Sequence, residues 1–247
     1  MRKGVNLQGC KRQKELLVYI RKYIYFNIKM FDKINIIREK GYYPDTILDI
    51  GAHHGNWTNG MKGLYPDSKY YLFEGIDYFE LKQFNNDPNV NVYNVLLNDK
   101  KEQVKWYQMK NTGDSIFREK THHFVNCEII DREAIDLDTL ILQNNILQES
   151  KNILIKIDCQ GAEIPILKGG TSILEKTDFI ILEIPLFGQY NEGVPNFLEH
   201  ISFMDKIGFK IYDIVDTHYI NGFNMQVDVL FINKNHNFNI VVNKALL

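Results

Sequence analysis

Asp49-Ile50-Gly51-Ala52-His53-His54-Gly55-Asn56-Trp57-Thr58 is the stretch that decides how this chain is read. Ahead of it, Thr46-Ile47-Leu48-Asp49-Ile50 is a short β-branched and apolar run following the turn signal Gly41-Tyr42-Tyr43-Pro44-Asp45. That composition predicts a strand covered on both faces. Gly51 and Gly55 then let backbone pass close to a ligand and take dihedrals that a side chain forbids. Strand, glycine turn and helix in this order predict a ligand crevice beyond the carboxyl end of the first strand. Two such glycines also fit a plain strand-to-helix turn, so support has to come from elsewhere in the chain.

Lys69-Tyr70-Tyr71-Leu72-Phe73 supplies it, as a second predicted strand that ends on Glu74. An acid at the tip of strand two, about 20 residues past the glycine turn, is where nucleotide-binding folds hydrogen-bond a ribose diol. Standing alone, Glu74 would read as a solvated strand-end carboxylate. The turn lacks the G-x-G-x-x-G order that seats a pyrophosphate on a helix N-terminus. S-adenosylmethionine has no phosphate and asks only for room for an amino acid and a ribose, and Asp49 suits the neighbourhood of its ammonium group. Tyr78-Phe79-Glu80-Leu81-Lys82 has the Tyr-x-x-x-Lys spacing of short-chain dehydrogenases. It follows strand two too directly for that catalytic pair and reads as helix surface.

With 247 residues, 45% of them apolar and 24% charged, the chain can build one three-layer core and is short for two large domains. Cys10, Cys127 and Cys159 form no Cys-x-x-Cys pair, so neither a disulfide framework nor a zinc ribbon is expected, which favours a reducing compartment. The apolar runs fall short of a membrane span, and a soluble, cytoplasmic protein is expected. Net charge is −2 but unevenly spread. Residues 1–40 are rich in Lys and Arg, leaving the acidic excess to residues 41–247. Leu16, Leu17, Ile20, Tyr23, Ile24, Ile28, Phe31 and Ile34 recur at helical spacing within that basic segment. It therefore reads as an amphipathic helical extension packed on a catalytic domain, 41–247, with its basic face solvated. The same face would suit contact with an anionic membrane or an acidic carrier-linked substrate. Nucleic acid is a weaker candidate, because no aromatic-basic interleaving accompanies the charge.

Further along, a third strand is expected over Asn91–Leu97 and extended segments over Val104–Met109 and Cys127–Ala134. Asn111–Arg118 has loop chemistry followed by apolar residues, as suits a lid or substrate loop. A helix opens at Asp136-Leu137-Asp138 with acids in its first turn. Ile153–Ile157 reads as a fourth core strand ending in Asp158, and Phe179–Leu182 as a fifth ending in Glu183. A helix near Pro195–Ile207 leads to strands around Phe209–Val215 and Val227–Ile232. Such alternation predicts a mostly parallel, doubly wound α/β sheet. Asp49, Glu74, Asp158 and Glu183 would then share one rim.

The strand-one motif, Leu72-Phe73-Glu74, and above all Lys156-Ile157-Asp158-Cys159-Gln160-Gly161-Ala162-Glu163 with Leu167-Lys168-Gly169 resemble the FkbM family of S-adenosylmethionine-dependent methyltransferases. The resemblance covers roughly residues 40–235. The Ile-Asp-x-x-Gly-x-Glu-x-x-x-Leu-x-Gly pattern is its specific part. It implies a class I methyltransferase fold, a Rossmann-like seven-stranded sheet with the last strand antiparallel, and O-methylation of a sugar, glycan or other small-molecule hydroxyl. The family's strand-one wording is Asp-x-Gly-Ala-Asn-x-Gly, and His53 stands here in place of the Asn; the backbone turn is expected to survive that change. By the resemblance, Asp49, Gly51, His53, Gly55 and Thr58 line the methionine and adenosine side, and Glu74 holds the ribose hydroxyls. Asn98 and Asp99 either lie near the adenine or form a turn.

Methyl transfer is an in-line displacement, so the protein aligns acceptor oxygen, methyl carbon and sulfur. An alcohol acceptor must also lose a proton as it attacks. Asp158 is the first candidate base, or else an acceptor of backbone N–H bonds in the Asp158–Gly161 turn. Glu163 is a second candidate or an acid of the next helix's first turn. His54 and the His122-His123 pair are further candidate bases, without zinc-site spacing. A divalent metal joining Asp158 to Glu183 is chemically conceivable but not compelled by the spacing. Two alternatives stand beside small-molecule O-methylation: an RNA methyltransferase, and a protein that binds S-adenosylmethionine without turnover.

Overall fold

The run Thr46–Ile50 forms strand β1, and every one of its residues is buried. In this computed structural model residues 30–187 and 191–238 are described; most of the basic segment 1–40 therefore lies outside the described residues. Within the described residues a helix, α1 at 30–39, buries Met30, Ile34 and Ile37 in the same core as Ile47 of β1.

The strands that follow are β2 Lys69–Glu74, β3 Val90–Asn94, β4 Leu96–Asn98, β5 Glu102–Gln108, β6 Glu128–Asp136, β7 Ile153–Ile157, β8 Thr177–Pro185, β9 Phe209–Ile220 and β10 Phe223–Asn233. Seven of them make one sheet in the order β3-β2-β1-β7-β8-β10-β9. β1 runs parallel to β2 on one side and to β7 on the other, β2 to β3 and β7 to β8. The last strand, β10, is antiparallel to both β8 and β9. Side chains alternate between two cores, Ile47 and Leu154 on one face, Leu48, Ile50, Ile155 and Ile157 on the other. Burial on both faces is why these strands read as near-continuous apolar runs. The chain order reverses beside β1, and a crevice opens there beyond the strand ends.

One expected strand divides. Asn91–Leu97 breaks at Val95, whose N–H makes a last bond to the Glu74 carbonyl. Leu96–Asn98 then joins a second, three-stranded sheet, β4-β6-β5, which also takes in the two extended segments expected around Val104–Met109 and Cys127–Ala134. The cause is tertiary: Leu96 buries against Trp106 and Ala134 in a separate small core, and a run of apolar residues does not say which core it enters. Trp106 in turn packs on Gly75, where an added Cβ would come 3.2 Å from the indole. The second sheet is thereby docked beside the tip of β2.

The helices follow their sequence signals. α2, Asn56–Leu64, starts directly after Gly55. α3, Leu137–Gln143, is capped by Asp136, whose side chain accepts from the Thr139 N–H. α4, Glu163–Lys168, and α5, Thr171–Leu174, follow β7. α6, Phe197–Lys206, opens on a capping box formed by Asn196 and Glu199. The stretch expected as helix surface at Tyr78–Lys82 is a 3-10 helix, Phe79–Phe84, with Tyr78 at its N-cap.

Candidate functional site

At the end of β1 the chain turns through Gly51 with φ 78°. The Gly51 and Ala52 N–H groups both donate to the Phe73 carbonyl of β2, at 2.9 and 3.2 Å. An added Cβ at Gly51 would fall 1.9 Å from the Asp158 carbonyl oxygen, so only glycine passes between β2 and the turn after β7. His53 has φ 48°, in the left-handed region where Asn, Asp and His are enriched among non-glycine residues. The exchange of Asn for His thus keeps the turn. Its ring stacks on His54 at 3.7 Å and meets Tyr78 edge-on at 4.8 Å.

Glu74, 8% exposed, is aimed by backbone. Its Oε2 accepts from the His53 N–H at 2.7 Å and its Oε1 from the Ile76 N–H at 2.9 Å. Burial raises its pKa, and those two N–H groups pull the other way. Gly51, His53, His54, Glu74 and Tyr78 line one cleft of about 980 Å³, whose second wall includes Ile76, Leu96 and Trp106.

Other residues expected at the cofactor stand behind that wall. Asp49 is fully buried, bonded by the Thr58 hydroxyl at 2.7 Å and paired with the Lys156 ammonium at 3.7 Å. Gly55 backs onto Phe84, which an added Cβ would meet at 2.4 Å. Asn98 lies buried in the second sheet and donates to Glu102 at 2.9 Å. Its carbonyl and the Asp99 Cα press on Gly169, where an added Cβ would be 2.4 and 3.2 Å away. None of Asp49, Gly55, Thr58, Asn98 and Asp99 lines the cleft. Asn98 ends β4, paired with Asp136, and Asp99 starts the bend after it, because β4 has left the main sheet.

Glu163 is likewise absent from the cleft wall. It is 1% exposed, and its Oε1 accepts the N–H groups of Cys159 and Gly161 at 2.9 and 3.3 Å. Burial pushes its carboxyl up to about 7. Its other oxygen faces the His200 ring at 4.0 Å, and both of those atoms lack a hydrogen bond. Gly161, at φ 106°, admits no side chain against Val194. The family pattern's Gly and Glu thus hold the backbone turn that presents Asp158.

Asp158 does line the cleft, together with Lys156, Gln160, Glu183, His218, Gln226 and Asp228. Lys156 donates to Asp158 at 3.2 Å, and Gln160 donates to Asp158 at 3.1 Å and to Glu183 at 2.7 Å. Gln226 adds a bond to Glu183 at 2.9 Å. Burial works against charge on Lys156, Asp158, Glu183 and His218. At Lys156 the neighbouring Asp158, Asp49 and Asp228 outweigh it and raise the ammonium's pKa. At Asp158 the Lys156 charge outweighs it and lowers the carboxyl. At Glu183 burial, Asp158 and Asp228 act together and push the carboxyl well up. Of these two neighbouring carboxyls, the surroundings thus favour the charge of Asp158 and oppose that of Glu183. His218 Nε2 lies 3.0 Å from Asp228 and 3.8 Å from Glu183. Burial opposes the imidazolium, yet the bond to Asp228 leaves its pKa raised.

The 111–118 loop, expected as a lid or substrate loop, lines the cleft through Asn111–Asp114 and Ile116. Asp114 accepts from Met109, Lys110 and Asn111 N–H groups, and the Ser115 hydroxyl donates to the Gln160 carbonyl at 3.0 Å, tying this loop to the Asp158 turn. His122 and His123 also line the cleft. Among the described residues no group of three or more His, Cys, Asp or Glu side chains is placed to hold a metal ion, and no helix is long and apolar enough to cross a membrane.

Sequence reasoning passed over Lys156, His218, Asp228, Tyr78 and Trp106 as site residues. Two of them had a signal: Lys156 and Asp228 are lone charges inside the buried runs Ile153–Ile157 and Val227–Ile232, and a charge is rarely buried without a partner. His218 had none.

A seven-stranded sheet in this order, with its last strand inserted antiparallel and a glycine turn facing an acid across the first two strand tips, defines the class I methyltransferase fold. Within that class the chain belongs to the FkbM family: the Methyltransferase FkbM domain model matches residues 49–211, more than half of the sequence. Among solved structures, methyltransferase FkbM from Methylobacillus flagellatus KT is 14% identical with a TM-score of 0.47, over 76% of this chain and 43% of its own. The chain thus spans less than half of that protein. An S-adenosylmethionine-dependent methyltransferase from Clostridium acetobutylicum ATCC 824 is 10% identical with a TM-score of 0.47, over 90% of this chain and 98% of its own. Magnesium protoporphyrin IX methyltransferase from Synechocystis PCC 6803, with bound SAM, is 7% identical with a TM-score of 0.46, over 94% and 86%. No curated protein matched the chain.

Proposed function

We propose that this protein moves a methyl group from S-adenosylmethionine to a hydroxyl of a sugar, glycan or other small molecule. The observation that carries the cofactor is Glu74. A carboxylate whose two oxygens are each oriented by one backbone N–H, at the tip of β2 beside the Gly51 turn, is built to accept both hydroxyls of a ribose. The cofactor fits these residues: Ile76, Leu96 and Trp106 offer an apolar slot for adenine, and the cleft runs on past Gly51 to Asp158, where the methionyl arm would lie. When bound, it supplies an electrophilic methyl on a sulfonium.

The protein's share is to align the acceptor and take its proton. The Asn111–Arg118 loop covers the cleft and keeps out water. Asp158 is ionised but a weak base, because Lys156 stabilises its charge. His218, held by Asp228 with its titration displaced upward, is better matched to removing a proton near neutral pH. Besides Glu183, whose charge its surroundings oppose, the described cleft wall carries Glu74, Asp158, Asp216 and Asp228 against one ammonium, that of Lys156. That balance repels a polyanion and disfavours nucleic acid as acceptor.

Calorimetric titration tests the reading, with NAD as control. Saturable binding of S-adenosylmethionine, weakened about 10- to 100-fold in Glu74→Ala as for loss of charged hydrogen bonds, is the expected result. No binding, or a preference for NAD, overturns it. Methylation of members of a panel of methyl glycosides then separates an enzyme acting on sugars from a protein that only binds the cofactor.

A further inference from the structure

Asp49, the acid that strand-one logic assigns to the cofactor's ammonium group, is fully buried and spoken for by Thr58 and Lys156. In front of it the cleft presents a different pair. Lys156 Nζ and Asp158 Oδ2 lie 3.2 Å apart, with side-chain exposures of 8% and 32%, and both line the cleft beside Gly51 and Trp57. The Lys156 ammonium also sits 5.7 Å from the Trp57 ring centroid. A positive and a negative group side by side are the complement of an amino acid zwitterion. From this juxtaposition we infer that Lys156 binds the α-carboxylate of the cofactor's methionyl end and Asp158 its ammonium. The inference rests on S-adenosylmethionine being the cofactor.

Three observations support the assignment over a purely internal ion triad. Lys156 reaches the cleft surface whereas its partner Asp49 does not. Asp49 Oδ1 accepts no hydrogen bond, so at 3.7 Å the ammonium is not saturated from below. Beside them, burial together with Asp158 and Asp228 opposes charge on Glu183, which limits the negative charge a carboxylate would meet.

The test compares ligands that differ only in the methionyl end. S-adenosylhomocysteine carries the full zwitterion, S-adenosyl-3-thiopropylamine lacks the carboxylate, and 5′-methylthioadenosine lacks both charges. On wild-type protein the loss of the carboxylate is expected to weaken binding about 10- to 100-fold, the range for a charge-assisted bond. In Lys156→Met that difference should collapse, while 5′-methylthioadenosine binds within about twofold of wild type and reports an intact adenosine site; Lys156→Arg should restore most of it. Equal affinity of wild type for the first two ligands overturns the inference without any variant. So does a Lys156→Met protein in which all three ligands weaken together, which marks a structural triad. Failure of wild type to bind any of them overturns the cofactor itself, a different result from the other two.

Discussion

On the proposed reading, Asp158 and His218 divide between them the roles first assigned to a single carboxylate. Asp158 was the natural first choice as base because it ends the fourth core strand. Its environment argues otherwise: Lys156 and Gln160 both stabilise the anion, and a carboxylate with a lowered pKa is a poor proton acceptor. His218 stands across Glu183 from it, with Asp228 fixing the ring. The two substitutions should therefore separate. Asp158→Asn is expected to weaken S-adenosylmethionine binding about 10-fold while bound turnover falls less. His218→Asn should leave cofactor affinity intact and lower kcat about 100-fold or more, the range of one general base. Steady-state kinetics on the acceptor returned by the glycoside panel would show the split, and equal kcat in His218→Asn and wild type would return the proton to Asp158.

The elements around the cleft owe their positions to local chemistry that is legible residue by residue. Asp136 and Asn196 both cap helices whose starts were expected within a residue or two. At α6 the cap is reciprocal: Asn196 accepts from the Glu199 N–H at 3.0 Å and the Glu199 carboxylate accepts from the Asn196 N–H at 2.6 Å. Asn196→Ala removes half of this box and should cost about 1 kcal/mol, a fall in Tm of roughly 2–4 °C for a domain of this size. Differential scanning calorimetry would read it, with cofactor affinity unchanged because α6 does not line the cleft. What local chemistry could not supply was the parting of β3 from β4. Val92 and Leu96 belong to one apolar run, yet one stays in the main sheet and the other packs on Trp106.

For the whole molecule the cost of building the Asp158 turn shows in its pH dependence. Glu163 is buried to hold two N–H groups and titrates at about 7 rather than at the ordinary 4.5. The folded chain thus holds this proton more tightly than the unfolded chain. The stability it contributes is complete below about pH 4.5 and is lost as pH rises through about 7, on the order of 3 kcal/mol. Glu163→Gln keeps an acceptor oxygen and removes the titration. From pH 5 to pH 8 the wild-type Tm should fall by several degrees relative to this variant, and parallel curves would show that Glu163 does not titrate in that window. The sequence by itself determined the strand-turn-helix unit, the acid at the tip of β2, the order of the elements and the family, because these depend on neighbours along the chain: backbone dihedrals, periodicity and fixed spacings. Only the tertiary structure decided which acids reach the cleft and which are walled behind it, as Asp49 and Glu163 are, and which residues from distant strands, Lys156, His218 and Asp228, stand beside Asp158. Burial and ion pairing are properties of side chains brought together across the sheet, and a residue's charge state follows from that company rather than from its place in the chain.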